Sequence, residues 1–407
     1  MATTTVASPT SAQRHRSFIA AMAVDSIGAG VFQPASTIYL LATTDLTLPQ
    51  VGSALTIAGI AALPVGLWLG GLVDRIGPRP VLMAANVAQA VGMAGYLLLH
   101  SFWGVIASAF IASAGRGVFF GSLGVAVSTI AGSGGVERWF AKVGGIRNLG
   151  QAAGALIAAV ALGIGTHSAL VAIILFTSAS LLAAVPLLTG VPRRPGDRAT
   201  PARGSWGVVL RDRRYRIVVA HWIAFSLSAY VLGVAIPVYA AVVLHMPGWV
   251  AGAAFMVNTL LIGFGQERIV RTQNGRIRSR VLVGSHIVYA IGFLTLLAAS
   301  IAHGALAIGI LVVGVIIYTL GEVAGWPVGA SINASAAPEE LRGRYQSLIQ
   351  FSQSGVGAVA PGALSGLLAI GAAATWLPMV GVCAIGAGLS ALMGAKVPAA
   401  RARIGQP

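Results

Sequence analysis

Four ionisable side chains, Asp25, Arg116, His221 and Glu322, stand inside long apolar stretches of this chain. A charge at the centre of a bilayer costs at least ~2.5–3.5 kcal/mol, so such a residue is expected to face a cavity or a partner. A carboxylate drawn out of water is readily neutralised by a proton, which makes Asp25 and Glu322 candidates for proton transfer. Asp25 lies eight residues after Ser17, or ~12 Å into its span at 1.5 Å per residue. Arg116 lies fourteen residues after Phe102, which leaves it ~9 Å from the same side of a ~30 Å core. The shared layer predicts that Asp25 and Arg116 pair or exchange partners. Glu322, in YTLGEVAGWPVGASINAS, is the leading candidate for a proton or a cationic substrate. Pro327 close by removes one backbone hydrogen bond and permits bending. His221 follows Arg216 by five residues and reads as interfacial, and His286 stands outside the pattern of the other four.

Gln33, Tyr39, Tyr230, Asn258, Trp326, Gln350 and Gln353 could line a polar and aromatic cavity around these groups. Side chains of this kind also bond simply from helix to helix. His100, His167, His245 and His303 fall between apolar runs and read as solvated. No Walker loop, HExxH or zinc-spaced Cys/His set occurs, so no metal, cofactor or enzymatic activity is expected.

The elements that position these groups follow from composition. Of 407 residues, 57% are hydrophobic and 9% charged, far fewer charges than the roughly 25% of a soluble domain. Apolar runs long enough for a membrane helix number twelve, and the 53 glycines suit close helix contact. The net charge of +16 lies between those runs, pointing to topology signals and anionic lipid rather than nucleic acid. Every second connection carries Arg or Lys, and the alternate ones, near 44–49, 100–101, 164–167, 244–247, 302–303 and 371–372, carry none. By the positive-inside rule both termini are expected in the cytoplasm. Arginine outnumbers lysine 24 to 2, a bias that fits a bacterial inner-membrane protein. The expected organisation is a disordered tail over 1–16, a six-helix bundle over 17–190 and a cytoplasmic linker over 191–216. A second six-helix bundle then spans 217–396, with a cytoplasmic tail over 397–407. Asp25, Arg116, His221 and Glu322 then stand on spans 1, 4, 7 and 10, the first helix of each three-helix group. Transporters built from repeats place corresponding helices around one central site.

The connection after span 2 reads GGLVDRIGPRPVL, with Gly70, Asp74, Arg75, Gly77 and Arg79 in a Gly-x-x-x-Asp-Arg-x-Gly-x-Arg pattern. Its glycines allow close contact and a tight turn, and Asp74 offers a negative charge at the inner face. The string and its position resemble the signature of the major facilitator superfamily, with Pro78 in place of the first residue of the usual basic pair. The resemblance implies an all-α polytopic membrane protein, with twelve transmembrane helices in two pseudo-symmetric six-helix bundles. It also implies that Asp74, Arg75 and Arg79 form an inner gate against the start of span 11, PEELRGRY, where Arg342 and Arg344 could add ion pairs. A carboxylate at a helix N-terminus gains ~0.3–1 kcal/mol. The second-half loop, GFGQERIVRTQNGRIRSR, lacks the Asp-Arg pair. Gly150 and Gly154 resemble the glycines of the family's antiporter motif, although Ala155 stands where its proline would be. Arg116 resembles the family's fourth-helix arginine associated with proton coupling.

The chain therefore reads as a monomeric, proton-coupled exporter of a lipophilic or cationic drug or natural product, in contact with membrane lipids and working by alternating access. An importing proton symporter for a small nutrient is the first alternative. A non-transporting scaffold or lipid-binding protein is the second.

Overall fold

The computed structural model describes residues 11–131, 136–191, 206–338 and 341–404. Spans 1 to 6 are α1 (Ser11–Thr43), α2 (Leu48–Ile76), α3 (Pro78–Gly95), α4 (Phe102–Ala131), α5 (Val136–Ile164) and α6 (His167–Leu187). A short α7 (Trp206–Arg211) precedes the second set. That set comprises α8 (Arg213–Val238), α9 (Trp249–Thr272), α10 (Arg278–Ala298), α11 (Gly304–Ser335), α12 (Arg342–Ile370) and α13 (Ala372–Lys396), with α14 (Pro398–Arg401) last. Among the described residues, eleven helices are long and apolar enough to cross a membrane. The twelfth, α3, has 18 residues and turns the polar side chains of Asn86 and Gln89 into the bundle, where they are buried. Asn86 Nδ2 donates to the Leu181 carbonyl at 3.5 Å, and Gln89 Nε2 donates to Asn86 Oδ1 at 3.3 Å.

The two halves repeat one packing scheme. In the first, α1 packs on α5 and α6, α4 on α2 and α3, and α3 on α6. In the second, α8 packs on α12 and α13, α11 on α9 and α10, and α10 on α13. Each pair in one half has its counterpart six spans on, the pseudo-symmetry expected of an internally duplicated carrier.

The halves meet along two seams, α2 with α12 and α5 with α9. A Cβ added at Gly52 would lie 2.6 Å from Ser365 Cβ, and one at Gly252 would lie 2.5 Å from Ala159 Cα. Thr56 Oγ1 donates to the Val359 carbonyl at 3.4 Å and accepts from the Gly362 amide at 2.8 Å. These contacts belong to the end of the bundle opposite the chain termini. Gly263 lies eleven residues, three turns, beyond Gly252 on the same face of α9. Gly355 likewise shares the Gly362 face of α12. Cβ atoms added at Gly263, Gly355, Gly144 or Gly145 would meet nothing within 4 Å among the described residues. Among the described residues, then, the seams carry contacts at one end and leave a cleft at the end that carries the termini and the arginines.

One terminal segment differs from expectation, and the other is anchored. Residues 11–16 are the first turns of α1, held where Ser17 Oγ donates to the Leu187 carbonyl at 2.6 Å and His15 meets Trp139 edge-on at 4.8 Å. The C-terminal tail docks on the α9–α10 connection: the Gly275 amide donates to the Ile404 carbonyl at 2.9 Å, and the Ile404 amide to the Arg276 carbonyl at 3.0 Å.

Candidate functional site

Glycines build the first cluster. Gly30 of α1 and Gly150 and Gly154 of α5 remove the Cβ atoms that would hold these helices apart. A Cβ at Gly154 would come within 2.1 Å of the Ile27 carbonyl oxygen, and one at Gly30 within 2.3 Å of the Gln151 carbonyl oxygen. Arg147 lies three and seven residues before those α5 glycines, on the same helical face, so the close approach carries it to α1. Its Nη1 forms an ion pair with Asp25 Oδ2 at 2.6 Å. This corrects the expected pairing of Asp25 with Arg116. Helix α5, not α4, is packed against α1 near Asp25, and the charge on α5 takes the carboxylate.

Arg116 faces the same space from α4. Its guanidinium lies 5.5 Å from the centroid of the Phe120 ring, and Arg147 lies 5.0 Å from that centroid. The two cations and Asp25 share a cavity of about 30 Å³ with Phe32, Gln89, Phe119, Phe120 and Thr177. A water or a small head group fits such a volume; a whole organic substrate does not. Although deep in the bundle, Arg116 and Phe120 are exposed, Phe120 to 45%. Both line the cavity. Among the described residues Arg116 has no hydrogen bond and no ion pair.

The second half contributes a cluster of another kind. Glu322 Oε2 accepts from Asn258 Nδ2 at 2.9 Å, and the same amide reaches Thr319 Oγ1 at 3.0 Å. No arginine, lysine or histidine pairs with Glu322 among the described residues. Beside it lie Tyr289 and Tyr318, with ring centroids 5.1 Å apart. The next residues inward are His221 and His286, whose Nε2 atoms are 3.2 Å apart. Both are buried, so the interfacial reading of His221 is corrected. Gly386 of α13 clears the space for His286, since a Cβ there would lie 2.3 Å from its imidazole, and Gly329 of α11 does the same for Trp222, at 2.9 Å. Trp326 joins this cluster, 5.0 Å from Trp222.

The remaining candidates divide. Gln33 of α1 touches α8, where a Cβ at Gly233 would lie 2.7 Å from its Nε2. Tyr230, one turn from Gly233, lies over Gly357, whose added Cβ would be 2.5 Å from the Tyr230 hydroxyl. Tyr230 and Arg116 are within electrostatic reach of each other. Gln350 and Gln353 share the Gly357 face of α12, Gln350 exposed and Gln353 half-buried. Tyr39 leaves the set. It is buried on the α3 side, where its hydroxyl donates to the Tyr96 carbonyl at 3.1 Å.

Of the gate residues, Gly77 begins α3 with φ 83°, a left-handed conformation that glycine adopts without strain. Arg79 and Arg344 are half-buried. The side chains of Gly70, Asp74, Arg75 and Arg342 lie outside the described residues.

Arg147 is the functional candidate that sequence reasoning passed over, and the pairing of His221 with His286 is the contact it did not foresee. The Arg147–Gly150–Gly154 spacing held the signal, since it places the cation on the glycine face of α5.

Two six-helix halves related by one repeated scheme, with a charged cavity on the cleft between them, define a secondary-transporter fold. The sequence profile of the Major Facilitator Superfamily matches residues 18–361, and the chain belongs to that superfamily. It is therefore a multi-pass membrane transporter and not an enzyme. Its fold is similar to that of a D-xylose-proton symporter, with TM-score 0.75, 16% identity and coverage of 95% of this chain and 98% of that one. It is also similar to the nucleoside transporter NupG, with TM-score 0.70, 13% identity and coverage of 94% and 98%. The POT family transporter PepTSo gives TM-score 0.70, 14% identity and coverage of 96% and 98%. No curated protein matches the chain in sequence.

Proposed function

We propose that this chain is a proton-coupled exporter of a lipophilic organic molecule, working as a monomer in a bacterial inner membrane with both termini cytoplasmic. The single observation that carries the reading is Glu322. It is a carboxylate held within the bundle by the neutral amide of Asn258, free of any cationic partner among the described residues. A proton can neutralise such a group without stranding an opposite charge. The substrate lies in the cleft between Arg116 and Phe120 on one side and Tyr230 and Gln353 on the other. The seams along α2–α12 and α5–α9 open and close in alternation, and the Asp74 loop latches the inner end. The low count of polar side chains in the spans favours a lipophilic cargo over a sugar.

The test is purified protein in liposomes with an imposed pH gradient, screening hydrophobic compounds of each charge. Movement of cargo against the proton flux establishes export by antiport. Movement of cargo with the protons establishes the importing alternative. A gradient that moves nothing while the cargo still exchanges at equal pH removes the proton from the mechanism.

A further inference from the structure

The cavity at the α1–α4–α5 junction holds an unequal set of charges: Asp25 against Arg116 and Arg147. Asp25 is already engaged, 2.6 Å from Arg147, which among the described residues leaves the Arg116 guanidinium as surplus positive charge. The Phe120 ring lies beside both guanidiniums, 5.5 Å from Arg116 and 5.0 Å from Arg147. A ring face stabilises a cation but does not neutralise it. Keeping an uncompensated charge this deep in a membrane protein is costly, and Arg116 is exposed rather than walled off. The other carboxylate that a cationic cargo would need, Glu322, is on α11 in the opposite half and is bound to Asn258. A cation entering the cavity would meet two guanidiniums and a carboxylate already in use.

We infer that this cavity is an anion subsite and that the cargo is a lipophilic carboxylate. Arg116 receives its head group and Phe120 packs against its body. The chemistry of the residues supports the assignment at each point. A guanidinium presents five N–H donors in a planar fork that matches a carboxylate with two parallel hydrogen bonds. The cavity volume, about 30 Å³, admits a head group and leaves the hydrocarbon body outside, against the exposed face of Phe120. Charge bookkeeping also fits the direction of transport. Outward movement of an anion and inward movement of a proton both run downhill in a membrane that is negative inside.

The inference rests on the reading of this cleft as the transport site, and its test does not depend on proton coupling. Full-length protein in nanodiscs is titrated with a phenylalkanoate, the corresponding amide and the phenylalkylamine of the same length, at one pH and without a gradient. Binding is followed by calorimetry and by the melting temperature. The carboxylate is expected to bind and to raise the melting temperature, with the amide weaker and the amine weakest. A charge-assisted hydrogen bond contributes about 1.5–3 kcal/mol, so Arg116→Gln should weaken carboxylate binding by roughly 10- to 100-fold. Arg116→Lys, which keeps the charge but loses the fork, should fall between. Equal binding of amine and carboxylate, or an Arg116→Gln variant that binds the carboxylate as the wild type does, overturns the proposal. Arg116-dependent carboxylate binding without gradient-driven movement would sink the coupling mechanism and leave the subsite standing. Gradient-driven transport of the amine alone would do the reverse.

Discussion

The two halves of this transporter share one helix scheme and hold their polar groups in opposite ways. In the first half a carboxylate is held by a guanidinium, Asp25 by Arg147 at 2.6 Å, with a second guanidinium facing the same cavity. In the second half a carboxylate is held by a neutral amide, Glu322 by Asn258, and two histidines are held by each other. The difference lies in what each arrangement tolerates. In the first cluster one carboxylate stands against two guanidiniums, an arrangement suited to a fixed electrostatic role. Protonating Glu322 removes a charge and strands none. On the proposed mechanism the first half binds the cargo and the second carries the proton.

The largest effects should come from breaking the first cluster. Removing one member of a buried ion pair costs about 3–5 kcal/mol because the other charge is left uncompensated. Asp25→Asn and Arg147→Gln should each lower the melting temperature sharply and abolish transport. The double variant should be less destabilised than the sum of the two. Thermal unfolding of all four proteins gives the cycle, and strict additivity would show that the pair is not a unit.

Glu322→Gln comes next, with little cost in stability and a full loss of coupling. The amide still offers an oxygen to Asn258, so the helix contact survives. Accumulation driven by a pH gradient should vanish, while cargo exchange at equal pH continues at near wild-type rate. The pH dependence of wild-type exchange should flatten in the variant. Intact uphill transport by Glu322→Gln would move the proton site elsewhere and dissolve the contrast between the halves.

Much of this architecture is legible in the chain itself. Apolar runs and the alternation of arginine give the two halves, because hydrocarbon imposes length and charge rules that act residue by residue. The layer shared by Asp25 and Arg116 is legible too, and both line one cavity. Which cation Asp25 takes is not a matter of depth. It depends on which helix the glycines allow closest, and Gly150 and Gly154 select α5. The His221–His286 pair escapes sequence reading for a related reason. Its two members are 65 residues apart, and only the packing of α13 on both α8 and α10, with Gly386 clearing the space, brings them together. Tyr39 shows the converse: an aromatic hydroxyl in a polar-looking span is used within the first bundle, on the Tyr96 carbonyl.

The histidine pair sharpens the contrast at an intermediate level. Replacing His221 by Phe leaves the buried His286 ring without its Nε2 partner, and an unsatisfied buried polar group costs about 1–3 kcal/mol. The double change to Phe removes the orphan and should recover part of that loss. Melting temperatures decide it, and gradient-driven transport should persist in the double variant at reduced stability. If transport fails while the fold holds, the pair belongs to the proton route and the second half has two titrating sites instead of one.

The smallest expected effect is at Thr319. Its hydroxyl accepts from the Asn258 amide at 3.0 Å and donates to the Val315 carbonyl at 2.7 Å, so it orients the amide that holds Glu322. Thr319→Val keeps the volume and removes one neutral hydrogen bond, worth about 0.5–1.5 kcal/mol. Stability should fall by no more than that. The amide keeps its bond to Glu322 but loses its second anchor, so the midpoint of the pH profile for exchange should shift while the maximal rate stays. Repeating Thr319→Val in the Glu322→Gln background separates orientation from packing. There the variant should alter stability alone, because no carboxylate remains for the amide to tune. A pH profile that shifts equally in both backgrounds would mean that Asn258 and Thr319 act on some other group, and the neutral hold on Glu322 would lose its role in the mechanism.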